Sequence, residues 1–133
     1  MKKRIATIVV MVVIAGIIYL TLQSPEQTGA LTKMTQQQLL KIGIDVGLKP
    51  LRHYVHYMLY FILGLSACNL CTARGWNLCK GMIGSLAIGV MDECLKISFP
   101  TREFDFGDLM RDFAGISIAI LLMVLVRKIK AVK

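Results

Sequence analysis

The sequence predicts an all-α, polytopic membrane protein with four transmembrane helices in a small antiparallel bundle, and three observations carry that expectation. Hydrophobic residues make up 56% of the 133-residue chain and charged ones 18%, with a mean hydropathy of +0.63, a balance hard to reconcile with a solvated surface. Four apolar runs, at roughly 5–22, 54–71, 81–98 and 109–126, each come close to the ~20 helical residues needed to cross about 30 Å of hydrocarbon. The ionisable side chains gather at the ends of these runs. No repeat or low-complexity tract divides the chain, so residues 1–133 read as a single domain.

The first run, "IATIVVMVVIAGIIYLTL", follows "MKKR" and carries no charge. A secretory signal has a shorter apolar region and a small-x-small cleavage site, which "TLQSPEQ" does not offer, so the run reads as an uncleaved anchor. Residues 23–53 form an outer loop in which Leu39, Leu40, Ile42, Ile44, Val46 and Leu48 mix with Gln, Lys and Asp. Either an amphipathic segment in the headgroup layer or an irregular loop fits that pattern; Thr35 is a candidate cap for a short helix, and Pro50 closes the segment. The second run ends in "CTARGWNLCKG", an inner turn whose Trp76 suits a membrane interface. Gly81, Ser85 and Gly89 repeat every four residues in the third run, a small-residue line that lets another helix approach closely. The fourth run has Arg111 and Asp112 only in its first turn.

Lys and Arg in the flanks set the orientation. With both chain ends in the cytoplasm, the inside holds nine of the sixteen basic residues and no acid; the outside holds seven basic residues and all eight acids. The expectation is therefore a multi-pass membrane protein. The sequence pI of about 9.6 in a soluble chain would point to nucleic acid, but here the basic residues bracket membrane spans, so no nucleic-acid partner is expected. Cys68 and Cys71 have redox-like spacing and Cys79 follows eight residues on, yet no histidine lies on that side to complete a zinc site. Buried or reduced thiols are the expectation, with no metal and no cofactor.

The stretch "MDECLKISFPTREFDFGDLMRDFAGI", residues 91–116, holds nine ionisable residues between two apolar runs. On the second helix His53, His56, Tyr57, Tyr60 and Gly64 share one broad face. Asp92, Glu93 and Lys96 at the end of the third, and Asp108, Arg111 and Asp112 at the start of the fourth, meet that face if all three ends point outward. Ionisable groups at bilayer depth cost several kcal/mol unless paired or wetted, and apolar packing would hold helices together at lower cost. Arg102 adds a planar fork suited to carboxylate or phosphate oxygens, Pro100 and Gly107 fit an ordered turn, and Asp108 is a candidate N-cap. The expected ligand-binding set is His53, His56, Tyr60, Glu93, Arg102, Asp108, Arg111 and Asp112; should there be catalysis, His56, Glu93 and Asp112 are the candidates.

These residues carry a resemblance. "HYMLYFILG" (56–64) resembles the His-aromatic-x-x-Tyr-x-x-Leu-Gly element of the VanZ-like membrane proteins, and "DECLKISFPTREFDFGDLMRDFAG" (92–115) resembles that family's Asp-Glu-x-x-Gln, Pro-Gly-Arg and Asp-x-x-x-(Asn/Asp)-x-x-Gly block. Lys96 stands where the family usually has Gln, Thr101 where it usually has Gly, and Arg52 or His53 near a common Lys. An ammonium in place of an amide gives Glu93 a counter-ion. The resemblance covers about half the chain. It implies a protein of the bacterial inner (cytoplasmic) membrane with its motif outside the cytoplasm, in a family whose namesake is linked to lowered susceptibility to the glycopeptide antibiotic teicoplanin.

Three functions follow as expectations. The first is binding of a membrane lipid, a lipid-linked cell-wall precursor or a glycopeptide at the outer polar site. The second is a small intramembrane hydrolase or transferase, with His56 as general base, Glu93 and Asp112 orienting it or holding a metal, and Arg102 or Arg111 stabilising negative charge. No nucleophile stands in a recognisable context, Ser98 and Thr101 being the only hydroxyls in the block. The third is a structural membrane scaffold.

Overall fold

Five α-helices make up the fold in the computed structural model, which describes residues 1–98 and 104–132: α1 (Lys2–Thr21), α2 (Pro25–Lys41), α3 (Leu48–Arg74), α4 (Leu78–Lys96) and α5 (Phe106–Val132). Over Lys2–Thr21, Pro50–Arg74 and Phe106–Ile129 the helices are long and apolar enough to cross a membrane. Their outward faces explain why: Ile8, Met11 and Val12 on α1 and Ile118, Leu121 and Leu125 on α5 are all exposed, bodies that a water-soluble bundle would turn inward. α4 is 19 residues long, about 28 Å at 1.5 Å per residue. Lys80, Asp92, Glu93 and Lys96 all lie within it, so its longest uncharged stretch is 81–91.

The loop between the first two expected spans contains a full helix, α2. Ser24 caps it, accepting from Gln27 N at 3.3 Å while Gln27 Oε1 accepts from Ser24 N at 3.0 Å, a reciprocal box that satisfies two free donors. Thr35 is therefore not a cap. It sits in the middle of α2, where its hydroxyl donates to Leu31 O at 2.9 Å. The Ser-x-x-Gln signal lay eleven residues upstream, just before Pro25. Gly43, in the left-handed region at φ 81°, ends the helix, and Gln36 Nε2 donates to Val46 O at 2.9 Å, tying the return segment to α2.

α3 is the hub, packing on α5, α1, α4 and α2. Its contact with α5 depends on two glycines. A Cβ on Gly115 would lie 2.7 Å from Tyr57 O and 3.1 Å from Phe61 N, and one on Gly64 would lie 2.8 Å from Ala119 Cβ. Both clashes involve helix interiors, so the two backbones can meet only without side chains there. Below that crossing Ile17, Tyr60, Leu63 and Ile116 form the apolar core, drawing one helix face from each of α1, α3 and α5.

The buried face of α4 runs Gly81, Ser85, Gly89, then Asp92, Glu93 and Lys96. Its lower half is small so that α3 can approach: a Cβ on Gly81 would meet Cys71 Sγ at 3.1 Å and Ala67 backbone at 3.4 Å. Its upper half is ionic. The α3–α4 turn is short because Gly75 adopts φ 71°, letting Trp76 N donate to Cys71 O at 2.8 Å, and because Asn77 Oδ1 accepts from Cys79 N at 3.0 Å to start α4.

Candidate functional site

The last turns of α1 and α4 and the first turns of α3 and α5 meet at one end of the bundle, and the charges of residues 92–112 fold inward there. Asp92, Glu93, Lys96, Asp108 and Asp112 are each no more than 5% exposed. Carboxylates buried this deeply need counter-charges and donors, and Asp108 shows how the chain supplies them. Its Oδ1 accepts from Arg111 Nη1 at 2.5 Å, while Oδ2 lies 3.4 Å from Lys96 Nζ, 3.5 Å from Arg52 Nη2 and 3.5 Å from His56 Nε2.

Lys96 bridges the α4 and α5 carboxylates, donating to Glu93 and lying 3.8 Å from Asp92 Oδ2. Glu93 Oε2 also accepts the Asp105 backbone N–H at 3.2 Å, so the carboxylate fastens the start of α5 to α4. Asp92 lies against the hydroxyl of Thr21, whose single proton Ile17 O, 2.9 Å away, can also accept, which brings α1 into the network. Asp108 is not the N-cap of the last helix. α5 begins two residues earlier, at Phe106, and Asp105 Oδ1 caps it by accepting Gly107 N at 2.7 Å. With three cations and the His56 ring around it, the Asp108 carboxylate is drawn into the bundle and away from the backbone donors.

His56 Nδ1 stands 3.1 Å from Asp112 Oδ1. Each ring nitrogen thus faces one α5 carboxylate, and a ring carrying both protons donates to each. Asp112 Oδ2, buried, has no hydrogen-bond partner among the described residues. Tyr60, 1% exposed, turns its hydroxyl toward Asp92 and Asp112 without completing a hydrogen bond of good geometry. Gly89 makes the space for both: a Cβ there would lie 3.4 Å from Tyr60 Cε1 and 3.8 Å from Asp112 Oδ2.

Of the expected residues, His56, Tyr60, Glu93, Asp108, Arg111 and Asp112 come together. His53 does not: half-buried and a turn nearer the start of α3, it makes no hydrogen bond or ion pair among the described residues, and the longer Arg52 beside it reaches Asp108 instead. Arg102, with Pro100 and Thr101, lies outside the described residues. Sequence reasoning missed Thr21, whose only signal was a hydroxyl closing the first apolar run.

Asp92, Glu93 and Asp112 each offer an oxygen within 4.8 Å of the others, a donor set suited to a hard divalent cation. Lys96 already supplies a cation at the same place. The cysteines contribute nothing comparable: Cys68 and Cys71 are buried, Cys79 and Cys94 exposed, all four are free, and none joins a metal-ligating group among the described residues.

A cavity of about 120 Å³ opens beside the network between α1, α2 and α3. Leu20, Leu31, Leu51 and Leu59 line it, with Arg52 and His56 also on its wall. The arrangement can therefore receive an apolar group while presenting the Arg52 guanidinium to a polar one. Neither family models, nor curated proteins, nor solved structures give a match to this chain.

Proposed function

We propose that this is a four-span envelope protein, α4 being the fourth crossing, which binds an amphiphilic, anionic ligand of the lipid-linked cell-wall precursor class at an extracytoplasmic site. In this reading its effect is on susceptibility to teicoplanin-type antibiotics, as the VanZ-like resemblance of residues 56–64 and 92–115 implies. The observation that carries the binding reading is the α1–α2–α3 cavity, lined mostly by apolar surface with Arg52 and His56 in its wall. Arg52 is 54% exposed at its side chain, so its guanidinium can leave Asp108 for a ligand oxygen, whereas Lys96 cannot.

Protein in nanodiscs should cross-link a photoreactive lipid II analogue. Leu59→Trp, which fills the cavity, and Arg52→Ala should each lower the yield about tenfold, the worth of one charged hydrogen bond. No cross-link above background, or equal yields from both variants and the parent, would sink the reading. The fourth crossing has its own check. Cys79 and Cys94 are exposed near opposite ends of α4, so a membrane-impermeant maleimide should reach Cys94 in intact spheroplasts and Cys79 only after lysis. Labelling of both from one side removes the crossing.

A second reading is an intramembrane hydrolase or transferase, favoured by the His56–Asp112 pair: a carboxylate 3.1 Å from Nδ1 orients an imidazole for proton transfer. Glu93 does not share that role, being held by Lys96 and the Asp105 N–H. Turnover of a labelled lipid that His56→Ala abolishes would move the assignment from binding to catalysis.

A further inference from the structure

At the end of the bundle opposite the carboxylates, the basic first turn of α1 (Lys2, Lys3, Arg4), Arg74 of α3, Lys80 of α4 and Arg127 of α5 crowd together. None has an acidic partner among the described residues, because every ion pair lies at the other end. The first turn of α1 makes this worse for an isolated chain. It holds no acid, although the positive end of a helix dipole favours anions and disfavours cations. The cluster repels itself unless an anion comes from outside.

The space for that anion is already shaped. Lys3, Arg4, Thr7 and Ile8 of α1 face Arg74 and Trp76 across an open groove of about 660 Å³. Arg74 is held in place without a carboxylate: Nη2 donates to Thr7 Oγ1 at 3.0 Å, and the guanidinium carbon stands 5.0 Å from the centre of the Trp76 ring. Lys80 Nζ lies 5.7 Å from the same ring. One of the five guanidinium N–H donors is used in this way, which fixes the plane and leaves the others to serve a phosphate fork. The groove borders the outward apolar face of α1, with Ile5 and Ile8 exposed beside it, so an occupant with a charged head has a place for its apolar continuation. A soluble anion would leave that part empty.

We propose that this groove is a specific site for the phosphodiester headgroup of an anionic membrane phospholipid, with Arg74 and the Lys3–Arg4 pair binding the phosphate and Trp76 marking the headgroup level. The site is separate from the carboxylate network and does not depend on what that network binds.

Trp76 is the chain's single tryptophan, so its fluorescence reports on this groove alone. The full chain is reconstituted in phosphatidylcholine vesicles, and phosphatidylglycerol or phosphatidylcholine brominated near the headgroup is titrated in. Phosphatidylglycerol should quench Trp76 at a several-fold lower mole fraction. Arg74→Gln should cut that preference about fivefold, the scale for one basic residue at an anionic surface, and the Lys3→Gln/Arg4→Gln double variant should do the same. Lys33→Gln, on α2 at the other end, should leave it unchanged. Equal quenching by the two lipids in the parent chain overturns the proposal, as does an undiminished preference in both groove variants. If Arg74→Gln does not reconstitute, the double variant decides. Inorganic phosphate at matched ionic strength should not compete; if it abolishes the preference, the site takes free phosphate and the lipid assignment fails.

Discussion

Charge is handled differently at the two ends of this bundle. At one, four buried carboxylates are matched inside the protein by Lys96, Arg111, Arg52, His56 and the Thr21 hydroxyl. At the other, cations from four helices have no acidic partner among the described residues, and two of them, Arg74 and Lys80, lie over the Trp76 ring. Burial is what separates the two. A carboxylate with 5% or less of its surface exposed has lost its water and must find partners in the chain, whereas a half-hydrated Lys or Arg can keep its water or take a partner from the membrane. The first end is part of the fold; the second is a surface offered to its surroundings.

Several substitutions can break or sharpen that contrast. The largest effect is expected from Lys96→Met, which leaves Asp92, Glu93 and Asp108 without their shared ammonium and should cost about 3–5 kcal/mol. Unfolding in detergent micelles measures it, and an unshifted midpoint would mean that these carboxylates are not ionised together. Gly115→Val comes next. Its side chain would press on the Tyr57 and Phe61 backbones, an overpacking cost of about 1–3 kcal/mol. Gly16→Val, where nothing lies within 4 Å, should leave the same midpoint unmoved. Asp105→Ala removes the cap of α5 and should cost about 1 kcal/mol; hydrogen exchange at Gly107 should rise locally even if the global midpoint hardly changes. The smallest effect belongs to the basic end, where Lys80→Met should stay within about 0.5 kcal/mol in the same micelles. A large loss there would show that the basic cluster has internal partners after all.

Three of the four expected spans, the small-residue line on α4 and most of the polar site were legible because they are written in short-range periodicity. Tyr60 follows His56 by one turn, and Gly81, Ser85 and Gly89 precede Asp92 and Glu93 on one continuous stripe, so a helical projection alone groups them. Helix ends were less legible. Thr35 and Asp108 both have the chemistry of a cap, yet Ser24 and Asp105 cap the helices. A capping side chain needs only a free backbone donor nearby, and several residues compete for that role until packing fixes where the helix starts.

By itself the sequence determined that apolar helices of membrane length would form, that their charges would lie at the ends, and that the acids would gather at one end and leave the other basic, because hydropathy and helical period are properties of neighbouring residues. The tertiary structure alone decided which carboxylate met which cation. Asp108 gathers Arg52, His56, Lys96 and Arg111 from three helices, and Asp92 reaches Thr21 across 71 positions of chain. Those pairings depend on how closely α3 and α5 approach at Gly64 and Gly115. A contact of a few ångströms between distant segments is set by the packing of the whole bundle, which no local pattern encodes.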